Sequence, residues 1–437
     1  MPLDAGGLQV TAASDAAVAH LDAAVAAYCG LRRDAGDRLK AVFAADPRCM
    51  MGQVLKGYFL LLFATKTAVA RAASAATAAS SLAAAGANAR ERQHLAALDA
   101  WVHGALGTAT AWWREILAEH PRDLLALKLA QYGAFYGGDG EGMRAATGTA
   151  LAAYDEAVPG YSWVLGSHAF SLEECGAYDA AETAGRRAVA LDPADIWAAH
   201  AVAHVCEMQD RLEDGVHWIA AQEAHWGEVN NFAFHARWHR CLFLLALGRS
   251  SDVLALYDRE VRAESTDDHL DITNAISLLW RLEEAGVDVD GRWAELAARA
   301  RAHQDDHCLA FADVHYLMAL AAVGDEDGIE AWRRSSRAHA ETGADDDARV
   351  MSRVGLALAE AALADRKRDW PRVVAAMAPV RGDIRLIGGS HAQRDLFEEM
   401  LIAAALKADP HLAGTLLGER LARRPGNPWA HDRSRRR

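Results

Sequence analysis

Three stretches of this 437-residue chain repeat one pattern: a glycine, then small and aromatic positions, then a proline 17 residues after the glycine. They run from Gly176 to Pro193, from Gly104 to Pro121 and from Gly30 to Pro47. In the first, Gly176-Ala-Tyr-Asp-Ala-Ala181 is followed by Ala188. In the second, Leu106, Ala109 and Trp113 fill the same grid, and in the third Ala35 and Leu39 do. A glycine at a turn between helices supplies positive φ. Small side chains let two helices approach, and proline ends the second helix because it lacks a backbone N–H. Trp163 and Trp197 lie 34 residues apart, twice the glycine-to-proline spacing. That period is the length of a helix–turn–helix unit, and such a unit buries its apolar face only by stacking on neighbours. Weaker turns follow at Leu247-Gly248-Arg249, Gly286 and Gly324, and a last helix pair is expected from about His391 to Arg424.

The pattern resembles the tetratricopeptide (TPR) repeat and predicts an all-α, TPR-like solenoid, a superhelix of roughly eight to ten antiparallel helix pairs. Composition agrees. Ala, Leu, Arg and Glu, which lose little side-chain entropy in a helix, recur throughout, and proline is scarce at 10. The Ala-rich stretch Ala72 to Ala85 is expected to be a closely packed helix. The chain is read as an N-terminal extension (1–14), one helical-repeat domain (15–425) and a basic, disordered tail (426–437).

Several longer segments resemble the tetratricopeptide repeat protein 38 family. They are Ala199-His-Ala-Val-Ala-His-Val-Cys-Glu-Met-Gln209, Asn231-Phe-Ala-Phe-His-Ala-Arg-Trp-His239 and Gly389-Ser-His-Ala-Gln-Arg-Asp395, with Ser277-Leu-Leu-Trp-Arg-Leu282 and Asp313-Val-His315. The likeness runs from about Asp15 to about Asp409. It implies a stand-alone helical-repeat protein with no appended domain, and no particular activity.

Charge and cysteine usage narrow the partners. Lys and Arg total 46 against 60 Asp and Glu, a net charge of −14, and such a surface repels phosphate backbones. Nucleic acid is therefore not expected. The six cysteines form no C-x-x-C and sit in apolar stretches, as reduced thiols of a cytoplasmic protein do. No secretory signal is recognisable. The longest apolar run, Val54 to Ala64, is too short to span a bilayer core of about 30 Å, so no membrane association is expected. A homo-oligomer is left open.

The 19 histidines carry the functional reading. Residues three, four and seven apart share one helix face. With the turn glycines setting the phase, the concave face is expected to carry Glu91 and His94, Lys128 and Tyr132, then Trp163 and Glu174. Trp197, His200, His204 and Glu207 follow, then His235 and His239, and then Asp313 and His315. Trp238 and His391 are added as pocket residues, His391 after a Ser390 that could cap a helix. His200-x-x-x-His204 and His235-x-x-x-His239 each place two imidazoles one turn apart, a spacing that chelates a divalent ion such as zinc. A bound water would then serve as nucleophile. Without a metal, the same histidines serve as acids and bases oriented by carboxylates, with His315–Asp313 and His200–Glu174 as candidate pairs. Equally, each histidine could be a hydrogen-bonded packing group.

Two functions remain open at this level. One is an intracellular small-molecule binder or hydrolase-like enzyme using His200, His204, His235, His239, Asp313 and His315 for chemistry. The other is a non-catalytic scaffold that holds a peptide segment of a partner. No phosphate-binding loop or G-x-S-x-G elbow is present.

Overall fold

A computed structural model describes residues 1–435. Among them the regular structure is helical and there is no β-strand; successive helices are joined by short turns and pack on one another. The all-α helical-repeat fold expected from the 34-residue period is thus observed. The helices before Pro47, Pro121 and Pro193 end at Ala45, Glu119 and Leu191. No helix among the described residues is long and apolar enough to cross a membrane.

Five of the turn glycines behave as the pattern requires: Gly104, Gly176, Gly248, Gly286 and Gly324 have φ of 73°, 77°, 76°, 79° and 68°. Gly30 does not. Its φ is −80°, and the left-handed residue of that turn is Leu31 at 53°. The reason for glycine there is space. A Cβ on Gly30 would lie 3.3 Å from the Trp163 ring and 3.1 Å from the Ala26 carbonyl oxygen.

The chain divides into two compact units, Met1–Val202 with Ala221–Ala233, and Ala203–Ala220 with the chain from Phe234 onward. In the first, the core is built around Tyr58, Leu55, Leu98, Trp113 and Ile116. The Ala-rich helix Lys66–Ala83 buries Ala72, Ala75, Ala76 and Ala79. Residues 1–14 are tied to this unit: Thr11 donates from its backbone N and its hydroxyl to the two carboxylate oxygens of Glu91, at 2.7 Å each.

In the second unit, Trp238, Phe243, Trp280, Trp332 and Phe397 are fully buried. Gly215 lets the Phe243 ring come close, since a Cβ there would meet it at 2.4 Å. The stretch read as a tail contains the helix Pro428–Arg435, on which the Arg433 guanidinium lies 3.8 Å from the Trp429 ring centre. Arg436 and Arg437 lie outside the described residues.

Candidate functional site

The second unit holds a cavity of about 190 Å³. Several helices present their C-terminal turns to it. Ile196–Met208 contributes Glu207, Phe232–Ala246 contributes Leu245 and Ala246, His269–Glu284 contributes Glu284, and Leu356–Arg366 contributes Asp365. The remaining wall comes from the helix His391–Ala408 with Asp395 and Glu399, then from Arg420, Arg424 and Trp429. Arg281 and Trp280 complete the lining.

Ionic side chains in this wall are heavily cross-linked. Arg420 forks onto Asp395, with one N–H···O contact of 2.7 Å, and donates from Nε to Asn427 at 3.2 Å. Arg424 reaches Asp210 at 2.8 Å and Glu207 at 3.3 Å. Arg281 donates to Ser277 and to the Ala392 carbonyl at 3.0 Å, and lies 3.6 Å from Glu399. Asp395, although buried, is held well below the ordinary carboxylate range by Arg420 and Arg424, which outweigh its desolvation. Burial pushes Asp365 up to about 7, with Glu284 adding repulsion.

A cluster of imidazoles lies in the same unit. His204 comes from the helix Ile196–Met208, and His235 and His239 come one turn apart from Phe232–Ala246. The 3.6-residue period that spaced them in sequence puts His235 and His239 on one face. All three are buried, and each offers a ring nitrogen within 4.8 Å of the others'. Ring centres are 4.4 Å apart for His204–His239 and 4.9 Å for His235–His239. Burial lowers His235 to about 3 and His239 well below the ordinary imidazole range, and His204 reinforces both shifts. Arg281, in the cavity wall, also depresses His239.

A hydrogen-bond chain sets one tautomer. The Ser390 backbone N–H donates to Gln393 Oε1 at 3.0 Å, Gln393 Nε2 to Asn274 Oδ1 at 3.5 Å, and Asn274 Nδ2 to His235 Nδ1 at 3.0 Å. The backbone donor orients both amides, so His235 Nδ1 accepts and its proton sits on Nε2. Ligation of a metal through His235 Nε2 would require the Asn274 amide to turn.

Asp313 and His315 do not pair with each other. Residues two apart on a helix point to different sides. Asp313 instead meets His307 Nδ1 at 3.2 Å, and burial raises it to about 6 despite that partner. His315 donates from Nδ1 to the Phe311 carbonyl at 2.7 Å, its Nε2 is buried without a hydrogen-bond partner, and burial lowers it to about 4. His391 opens the helix His391–Ala408, where Ser390 and Gln393 form a reciprocal cap. Trp238 is fully buried beside His235, 5.5 Å between ring centres.

The remaining expected residues belong to the first unit. His94 Nε2 is 3.0 Å from Asp123, which also takes Arg90 at 2.6 Å, and Tyr58 donates to the His94 carbonyl at 2.7 Å. This is a fully used packing network, as is Glu91 with Thr11 and Asn88. Tyr132 packs on Trp101 and Tyr136. Glu174 ends the helix Tyr161–Glu174. His200, one turn before His204 on its helix, sits among Phe170, Trp197 and Phe232, with ring centres 5.0–5.5 Å apart. The Lys128 ammonium lies 4.0 Å from the Trp197 ring centre, and with Trp163, Asp195 and Cys29 it lines a hollow of about 10 Å³, room for one water. Desolvation lowers Lys128 and raises Asp195 to about 7.

Sequence reasoning passed over Arg281, Asp365, Asp395, Arg420 and Arg424. A signal was there. Arg281 interrupts the apolar run Ile276-Ser-Leu-Leu-Trp-Arg-Leu282, and a cation on an apolar helix face needs a buried partner. No model of a known protein family matches the chain.

Proposed function

We propose that this chain is a helical-repeat protein that binds a small molecule, and that the ligand occupies the cavity of the second unit. The observation that carries this reading is the cavity itself, about 190 Å³ held open among buried charged side chains. A concave site with an apolar side and a few converging charged groups is the usual form of a small-molecule site, and a largely buried carboxylate without a protein partner is costly. A purely structural ion network has no need of either. No histidine lines this cavity, so the reading is one of binding and does not draw on His204, His235 or His239. Six free thiols fit a cytoplasmic location.

The test is a small-molecule screen read by thermal shift, run on the wild type and on Ala403→Trp. Ala403 lines the cavity from a half-buried position, so the indole fills the space while the helix persists. Compounds that raise the melting temperature of the wild type and not of Ala403→Trp support the reading. Compounds that act equally on both defeat it.

A second reading rests on the imidazole nitrogens within 4.8 Å of one another: His204 and His239, with His235 once Asn274 turns, hold a zinc-like ion. Elemental analysis of protein purified without a polyhistidine tag checks this. About one metal ion per chain is expected, lost in His239→Ala; a metal-free wild type rejects it.

A further inference from the structure

The cavity wall is unequal in what it leaves unused. Three of its four guanidiniums are tied to protein acceptors: Arg281 by Ser277, Ala392 and Glu399, Arg420 by Asp395 and Asn427, Arg424 by Glu207, Asp210 and Asp395; the fourth, Arg433, lies over the Trp429 ring. Its carboxylates are not all tied in this way. Asp365 is 6% exposed and its carboxylate receives no hydrogen bond from any described residue. Glu207 uses Oε1 for Arg424, while Oε2 is buried without a partner. Glu284 stands beside them at the rim.

Backbone electrostatics point the same way. Glu207, Glu284 and Asp365 all lie in the last turns of their helices, Ile196–Met208, His269–Glu284 and Leu356–Arg366. A helix C-terminus carries partial negative charge and disfavours a carboxylate there. Three such ends, each with an acidic residue, meet at one cavity; Arg424 and Arg281 offset the field at Glu207 and Arg366 that at Asp365, and burial still raises both carboxyls. Trp280, Leu242, Leu396 and Met400 give the lining an apolar side, a surface for methylene groups rather than for a hydrated metal ion.

From this we infer that the cavity binds an aliphatic amine, with one or two ammonium groups donating to Asp365 and Glu207 and the alkyl chain against Trp280 and Met400. The inference rests on the cavity being the ligand site, and it names the ligand class.

Three four-carbon probes of different charge test it on the full chain by calorimetry: 1,4-diaminobutane, 1,4-butanediol and succinate. The diamine is expected to bind and the other two are not. Asp365→Asn is expected to weaken diamine binding at least tenfold. Because no protein group bonds Asp365, the variant should keep the wild-type circular dichroism. Ala403→Trp should abolish binding. If succinate or butanediol binds instead, and Ala403→Trp removes that binding, the amine inference falls and the cavity remains a ligand site. If the diamine binds equally to wild type and Asp365→Asn, or if none of the three binds, the inference is overturned, while the cavity reading is judged by its own screen.

Discussion

His303 shows how one side chain sets a pH window. It is 8% exposed, with Asp306 at 2.7 Å from Nδ1 and Asp267 at 3.0 Å from Nε2. Its hydrogen bond to Asp306, aided by Asp267, lifts it from 6.5 to about 9 against the cost of burial. The folded state therefore holds this proton more tightly than the unfolded chain does. The stabilisation is complete below pH 6.5 and vanishes as pH rises through 9; a shift of this size corresponds to up to about 3 kcal/mol. Melting temperature measured from pH 6 to 10 should fall for the wild type, and His303→Gln should remove most of that slope. An unchanged slope in the variant would disprove the assignment. Asp365 is also raised, from 3.8 to about 7, so its contribution is complete below 3.8 and lost as pH climbs through 7. Asp365→Asn should therefore be more stable than the wild type at pH 8, and the two should converge at pH 4. The reverse order at pH 8 would mean that Asp365 has a favourable partner there.

At the scale of helices, close approach is set by residues too small to notice in a sequence scan. Gly215 sits in the helix Leu212–Gln222, and a Cβ on it would meet three Phe243 ring atoms at 2.4–2.8 Å. Gly418, within Pro410–Arg423, has nothing within 4 Å. Opposite signs follow. Gly215→Ala should destabilise by about 1–3 kcal/mol through overpacking. Gly418→Ala should stabilise by about 0.5–1 kcal/mol, because alanine loses less backbone entropy in a helix. Chemical denaturation of both variants measures the difference; a stabilising Gly215→Ala would show that the Phe243 contact is not tight. The same contrast explains what was legible beforehand. The 34-residue period and the glycine–proline punctuation are local signals, and they foretold the helices and the turns at Gly104, Gly176 and Gly248. The i,i+4 spacing also foretold that His235 and His239 share a face. The pairing of Asp313 with His307, the use of Gly30 as space for Trp163, and the meeting of Arg281, Asp395 and Arg424 at one cavity depend on how helices far apart in sequence come together. No local period encodes that.

Each of the two units carries its own buried ionic knot. In the first, Asp123 is fully enclosed, held well below the carboxylate range by His94 and Arg90, and accepts the Ala126 backbone N–H at 2.8 Å. In the second, Arg420 is 2% exposed and bound to Asp395, Glu399 and Asn427. Breaking such a pair leaves an uncompensated buried charge and costs about 3–5 kcal/mol, more than most single changes. In helical-repeat proteins stability is approximately a sum of repeat and nearest-neighbour terms, so the loss should stay near its origin. Amide hydrogen exchange reads this region by region. Asp123→Ala, which strands Arg90 and His94, should speed exchange in the helices Met50–Leu61, Ala89–Val102 and Leu124–Tyr136 and leave His269–Glu284 and His391–Ala408 as protected as in the wild type. Arg420→Met should do the opposite, speeding exchange in Pro410–Arg423 and in His391–Ala408, which carries Asp395 and Glu399. Loss of protection throughout the chain in either variant would show that the molecule unfolds as one cooperative body, and that its two ionic knots support a single common stability.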